Sequence, residues 1–416
     1  MECVLKDLIA ISKDGEWGKS EPFEDSLEML AIRGTDFENV RFGDTASTPR
    51  RHIPNRIAKR KTLQPWDVII EAAGGTKNQI TGRTVLLRPQ LFTRSEIPFT
   101  CASFSRFIRF NTELCDPEFM FWYLQHLYAS GFMHAYHTQH TGVARFQWTT
   151  FSEREPLELP PIPVQRRIAN ILSVYDELME INQRRIRILE QMARTLYREW
   201  FVHFRFPGHE KLPRIVSVLG DIPRGWEVKK LADVAEVNRA QINPRTAPDE
   251  LRYIDISSVS PGQIDTITTY TFTDAPGRAR RIVQHSDVLW SCVRPNRRSH
   301  AQVMHPEPNT IASTGFAVLT ATKVPFTFLY LATTTDDFVV YLTNNATGAA
   351  YPAVSASTFE KAELLVPPVP LLKKFGEATI PMAEHIHTLQ RQTQNLRQTR
   401  DLLLPRLLSG QIAFNS

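Results

Sequence analysis

Three histidines fall at intervals of three in the run HAYHTQH: His134, His137 and His140. No cysteine or carboxylate stands beside them to complete a ligand set, so a polar helix end is expected here and no metal centre. The run GEWGKS ends like a phosphate-binding loop, but Lys13 occupies the place of the leading glycine that lets the backbone cradle a phosphate. No GxGxxG, GxSxG or HExxH occurs. The acid-plus-double-proline tetrad that holds a target base in amino-methyltransferases is also missing: the double prolines read LPPIP and VPPVP, and the nearest alternative is DPEF at Asp116. The chain is not expected to do chemistry itself.

What remains is recognition chemistry. The run RRHIPNRIAKRK, residues 50–61, begins with Arg50 and Arg51 and contains no acid. Lys77, Asn78 and Arg83 follow in TKNQITGR, and Arg145 and Gln147 lie in TGVARFQ. Further on, CVRPNRRSH supplies Arg294, Asn296, Arg297 and Arg298, preceded by Arg278, Arg280 and Arg281, and the run NNATGAAYP supplies Asn345 and Tyr351. Arginine can grip guanine O6 and N7 with two hydrogen bonds, and Asn or Gln can do the same at adenine. Basic side chains without such partners hold phosphates. A single run of this kind is ordinarily a solvated face. Recurrence of basic or amide-bearing loops in two parts of the chain favours selective DNA reading.

These side chains must be positioned by a chain of 416 residues, too long for one ordinary core. Its 42% hydrophobic and 22% charged residues are those of a globular protein. Cys3, Cys101, Cys115 and Cys292 form no CxxC pair, so reduced thiols are expected. The absence of a long apolar run and the acids near the start argue against membrane insertion and secretion, and a cytoplasmic location is expected. The net charge of +5 is unevenly spread. Residues 1–160 hold 19 basic and 20 acidic side chains, and residues 207–366 hold 16 of each. The excess lies in residues 161–206, with 8 against 5, and 367–416, with 6 against 3.

Those four segments are two copies of one plan. LPPIPVQRRI from Leu159 returns as VPPVPLLKKF from Val366, so that Pro160, Pro163 and Arg167 match Pro367, Pro370 and Lys374 at an offset of 207. TGVARFQWTTF from Thr141 returns as TGAAYPAVSASTF from Thr347, and WDVII at Trp66 returns as SDVLW at Ser286. Residues 163–206 lack Gly and any further Pro, and steps of three and four link Leu172, Tyr175, Met179, Asn182, Ile186, Leu189 and Leu196 into a helical seam. The second copy runs through Ile386, Leu389, Leu396 and Leu403, with Arg400 expected to interrupt the seam and Pro381 to kink or delay the helix. A helix of about 40 residues is a rod of roughly 60 Å. Two such rods in one chain are expected to bury their stripes against each other as an antiparallel coiled coil, with Asn182 fixing register. Residues 1–160 and 207–366, rich in short β-branched and aromatic runs, are each expected to form an α+β globule, with residues 206–226 as the linker into the second. The expectation is therefore an α+β protein of two globules and two long helices, related by a pseudo-twofold internal repeat.

In PPIPVQRRIANILSVYDELMEINQRRIRILEQMARTLYREWFVHFRFPG, in its echo PPVPLLKKF with LRQTRDLLLPRLLSGQI, and in DIPRGWEVKKLADVAEV from Asp221, the sequence resembles the specificity subunits of type I restriction–modification systems along essentially its whole length. The resemblance implies two α/β target recognition domains (1–160 and 207–366), each reading one half of a split site in double-stranded DNA. The helices (161–206 and 367–416) would set the unread spacer and dock two methyltransferase subunits, with restriction subunits joining the full complex. S-adenosylmethionine, ATP and Mg2+ are then implied in the partner subunits and none in this chain. The first globule departs from the pattern in lacking the PxGW-type start found at Pro223–Trp226. A coiled-coil adaptor with protein-binding globules, a DNA-binding protein without such partners and a single-chain enzyme are the alternatives.

Overall fold

The run VII after Asp67 is apolar at every position, and a strand of that kind must be covered on both faces. In the computed structural model, which describes residues 2–75, 79–139, 143–217 and 220–412, Val68–Glu71 lies inside a four-stranded antiparallel sheet between Ser105–Phe110 and Thr84–Leu86, with Ile9–Asp14 at the edge. Side chains alternate across a strand. Val68 and Ile70 enter one cluster with Ile108 and with Phe119 and Met120 of helix Pro117–Ala129. Ile69, Val85 and Phe107 enter the opposite one with Leu30 and Ile32. Those last two belong to Ser26–Ile32, the middle strand of a second sheet, antiparallel to Arg50–Pro54 and parallel to Phe99–Cys101.

The backbone divides into two units, Met1–Arg184 with Arg391–Ser416, and Arg185–Gln390. The second unit repeats this plan. Val288–Ser291 lies between Phe316–Ala321 and His300–Gln302, with Ala235–Val237 at the edge. In the companion sheet, Glu250–Ile254 runs parallel to Thr310–Ser313. The repeat extends to backbone detail. Trp66 and Ser286 both sit in the left-handed region, at φ 72° and 73°. The aspartates that follow, Asp67 and Asp287, are buried and accept the amides of Gln64 and Gln284 at 2.7 and 2.8 Å. Each unit is also closed by a two-strand clasp just ahead of its long helix: Glu2–Val4 pairs with Pro156–Glu158, and Glu227–Lys230 with Glu363–Val366.

The central helix, Ile162–Tyr197, ends in a π turn, Arg198–Val202. The C-terminal helix spans Val369–Leu408. In the first unit Asp176 of one pairs with Arg400 of the other. In the second, Tyr197 and Trp200 meet Phe375, with ring centroids 6.3 and 5.9 Å apart. Later positions on one helix thus meet earlier positions on the other, which is antiparallel packing. Seam residues Leu172, Met179, Asn182 and Leu389 are buried, and Tyr175, Ile186, Leu189, Leu196, Ile386, Leu396 and Leu403 are half-buried.

Three expectations need correction. Arg400 does not interrupt the seam but occupies it, only 7% exposed, because Asp176 at the same level neutralises it. Pro381 does not break the helix. Its ring lies on an exposed position, and the carbonyl it leaves without a donor belongs to the exposed Glu377, where water can serve. Residues 206–226 are no plain linker. They form a hairpin, Arg214–Ser217 with Gly220–Pro223, and Phe206 and Trp226 join Phe201 in the core of the second unit, each large side chain contributing about 2–3 kcal/mol by leaving water. Beyond Pro325 lie two helices, Phe326–Thr333 and Asp336–Asn344, because the Thr335 hydroxyl accepts the Phe338 amide and starts the second.

Candidate nucleic-acid interface

Both units build the same junction beyond their buried core strand. In the first, the Ala72 amide donates to the Phe104 carbonyl at 2.8 Å, the Phe146 amide to Ala72 at 2.8 Å, and the Gly74 amide to Ala144 at 3.0 Å. In the second, the Cys292 amide donates to Gly315 at 2.8 Å, the Val354 amide to Cys292 at 2.9 Å, and the Arg294 amide to Pro352 at 2.7 Å. Two equivalent backbone bonds in each unit therefore tie the loop after the core strand to the TG-containing loop, and the third ties it to the turn at Phe104 or Gly315. These two loops carry most of the predicted reading residues.

In the second unit, Arg294 and Arg298 adopt left-handed backbone at φ 52° and 57°, on either side of a short turn, Pro295–Arg297. The Arg294 guanidinium lies 4.5 Å over the Tyr351 ring and donates to the Ala350 carbonyl at 3.3 Å. Arg298 pairs with Asp336 at 2.5 Å. Between them, Asn296 and Arg297 are exposed, with no side-chain partner among the described residues. Tyr351 is 68% exposed. Asn345 ends its helix and donates to the Tyr341 carbonyl at 2.9 Å. The structure therefore brings Arg294, Asn296, Arg297 and Tyr351 onto one pair of linked loops.

In the first unit, Arg145 and Gln147 are both exposed, and Gln147 opens helix Trp148–Arg154. Lys77 and Asn78 lie outside the described residues, as does His140; by the offset of 220 that relates Trp66 to Ser286, Lys77 and Asn78 correspond to Arg297 and Arg298. Arg83 is bound to Glu71 by two hydrogen bonds of 2.8 and 2.9 Å. Arg51 donates to the carbonyls of Trp17 and Gly18 and covers the Trp17 ring at 4.5 Å. Arg50 stands exposed, 3.7 Å from Glu28. Arg51 and Arg83 thus shape this surface, while Arg50, Arg145 and Gln147 remain available at it.

Sequence reasoning missed the aromatic part of the site. Trp17, Arg33, Phe104 and the Arg83–Glu71 pair line a cleft of about 680 Å³ beside Gly74. Phe104 is 58% exposed, so a stacking platform stands next to the loop junction. Its signal was the aromatic in CASFSRF, which strand periodicity alone assigns to a core. A second cleft, about 380 Å³, is lined by Lys13, Arg60, Lys61 and Arg106. The Arg278–Arg281 run is less open: Arg280 covers Phe272 at 5.3 Å, and burial pushes the Arg281 guanidinium below the ordinary arginine range. Burial also raises the thiols of Cys101 and Cys115 to about 12, which leaves them unreactive. Among the described residues, no helix is long and apolar enough to cross a membrane.

Residues 82–191 match the model of the type I restriction modification DNA specificity domain. The chain is 24% identical over 300 residues to the MjaIX type I restriction enzyme specificity subunit of Methanocaldococcus jannaschii, an alignment covering 70% of this chain and 68% of that one. It is 22% identical over 366 residues to the HindI specificity subunit of Haemophilus influenzae, covering 73% of this chain and 79% of its relative. The fold is that of the type I restriction–modification S subunit from M. genitalium, with a TM-score of 0.57, 16% identity, and 98% and 95% of the two chains covered. With its internal repeat, its two antiparallel helices and its matching loop junctions, the chain is similar over most of its length to type I restriction enzyme specificity subunits, and residues 82–191 match their DNA specificity domain.

Proposed function

We propose that this chain reads a bipartite DNA site for a type I restriction–modification complex, each globule contacting one half. The observation that carries this reading is the duplicated junction. The same two backbone bonds link the two loops in each unit, yet the side chains displayed differ, with Arg145 and Gln147 in one and Asn296, Arg297 and Tyr351 in the other. A constant frame with variable arginines and amides suits two half-sites of different sequence. Arg50 and the cleft with Lys13, Arg60, Lys61 and Arg106 are suited to phosphates.

The long helices set the unread spacer and dock two methyltransferase subunits. Support comes from the outer face of the central helix. Val174, Leu178, Ile181, Ile188 and Met192 are each 43–52% exposed and recur at helical spacing, away from the inward seam. This chain contributes no catalytic group. S-adenosylmethionine, and in a complex with restriction subunits ATP and Mg2+, belong to the partners.

The test is a methylome. Co-expressed with its methyltransferase subunits, the wild-type chain yields one bipartite modified motif. Arg297→Ala relaxes one half and Gln147→Ala the other, each contact being worth about 1–3 kcal/mol of discrimination. An unchanged motif in both variants overturns the assignment of the loops. A coiled-coil adaptor would instead give no sequence preference in gel shifts at any salt concentration.

A further inference from the structure

Strands Val288–Ser291 and His300–Gln302 are antiparallel neighbours, with Val288 opposite Gln302. The loop before the first and the loop after the second therefore emerge at the same end of the sheet. They carry His285 and His305. The two imidazoles stack, with ring centroids 4.2 Å apart and planes 28° apart. His305 is held in left-handed backbone at φ 46°, a conformation a non-glycine residue adopts at a cost. Glu384, on the C-terminal helix of the same unit, reaches both rings: its carboxylate oxygens lie 2.8 Å from His305 Nε2 and 3.8 Å from His285 Nε2. One ligand atom from each of the three lies within 4.8 Å of the other two. None of them belongs to the loop junctions assigned to DNA.

We propose that His285, His305 and Glu384 form a binding site for one divalent transition-metal ion of the zinc or nickel class, which pins the C-terminal helix to the two loops. Two imidazoles and one carboxylate are a donor set such ions prefer, whereas calcium and magnesium favour all-oxygen cages. The side chains are partly open to solvent, so water completes the coordination. His387, one helical turn after Glu384, places its ring 5.5 Å from that of His305. Glu and His three residues apart on one helix face project toward a common centre. Binding through His285 Nε2 has a cost. The His305 amide donates to His285 Nδ1 at 3.2 Å, and coordination at Nε2 makes Nδ1 the protonated nitrogen, so that bond is given up. Affinity is correspondingly moderate.

The full chain, purified without a polyhistidine tag and stripped with chelator, is titrated with zinc chloride calorimetrically and with cobalt(II) spectroscopically. We expect one saturable equivalent, with Kd about micromolar, weakened at least about tenfold in His305→Gln and Glu384→Gln. Binding is retained in His385→Ala, an exposed histidine on the same helix. Zinc also raises the Tm of the wild type and not of the two site variants. Urea midpoints of the variants in chelator, equal to that of the wild type, exclude a folding defect as the cause. No saturable binding, binding unchanged in both site variants, or cobalt bands of thiolate ligation would each overturn the proposal.

Discussion

Arg400 and Asp176, 224 residues apart in sequence, meet across the two long helices at 2.6 Å, and both are almost fully buried. Asp176 also accepts from Arg41 at 2.7 Å and lies 4.0 Å from Arg88. One carboxylate therefore answers three guanidinium groups drawn from the first globule and the C-terminal helix. Burial alone would raise its pKa, but Arg41 and Arg400 outweigh burial and hold it below the usual carboxylate range.

Removing that carboxylate leaves buried positive charge unanswered, the costly case for an ion pair. Asp176→Ala lowers the unfolding free energy by about 3–5 kcal/mol, measured by urea denaturation near pH 7. Arg400→Leu costs only about 1–2 kcal/mol, because Arg41 continues to satisfy Asp176. Because the native pKa is depressed, this contribution is present above the ordinary carboxylate pKa and is lost as pH falls through the native value. The acid limb of the stability curve is correspondingly shallower in Asp176→Ala.

His300 makes a second acid sensitivity of the same sign, through a group held neutral in the fold. Burial, aided by the charges of Arg194 and Arg298, lowers its pKa from the usual 6.5 to about 4, and its ring packs between Trp290 and Tyr330. The unfolded chain then binds a proton that the folded chain refuses, so stability falls as pH drops from 6.5 toward 4, by up to about 3 kcal/mol. His300→Phe keeps the ring packing and removes this limb. Urea midpoints at pH 7 and pH 5 should differ clearly less in the variant than in the wild type.

Gly15, in the run that mimics a phosphate loop, serves close backbone approach. A Cβ there would lie 2.2 Å from the carbonyl oxygens of Cys101 and Ala102, while the Gly15 amide donates to Ser105 at 2.8 Å. Gly15→Ala must push strands apart and costs about 3 kcal/mol or more. Loss of soluble expression or a large fall in Tm is the expected outcome, and an unchanged Tm would contradict the close approach.

The paired left-handed residues offer a gain. Ser286 holds φ 73° ahead of the buried Asp287, a conformation that glycine adopts without steric cost. Ser286→Gly raises stability by about 0.5–1 kcal/mol in thermal unfolding, and Ser286→Val lowers it. A loss on introducing glycine would show that the serine side chain matters more than its backbone.

The duplicated plan was legible because helices and strands leave periodic traces, and an offset of 207 aligns one helix with the other. Arg400 was misread for a physical reason: a charge at a seam position looks like a break until its partner is known, and Asp176 stands 224 residues away. The loop junctions were invisible for a similar reason. They are made by backbone amides such as Phe146 to Ala72, which any residue but proline can supply. His285, His305 and Glu384 are spread over a hundred residues, with no spacing signature to join them.

The two-strand clasps have a consequence for chain order. Each globule leaves its clasp straight into a long helix, and Leu5 and Leu8 of the first globule share a core with Leu404 and Leu407 at the end of the C-terminal helix. Along the chain globule, helix, globule and helix alternate, and the end of the last helix returns to the first globule. Opened in the exposed stretch at Gly208 and bridged between Leu5 and Leu407 by a flexible tether, the polypeptide would meet the same partners in a rotated order.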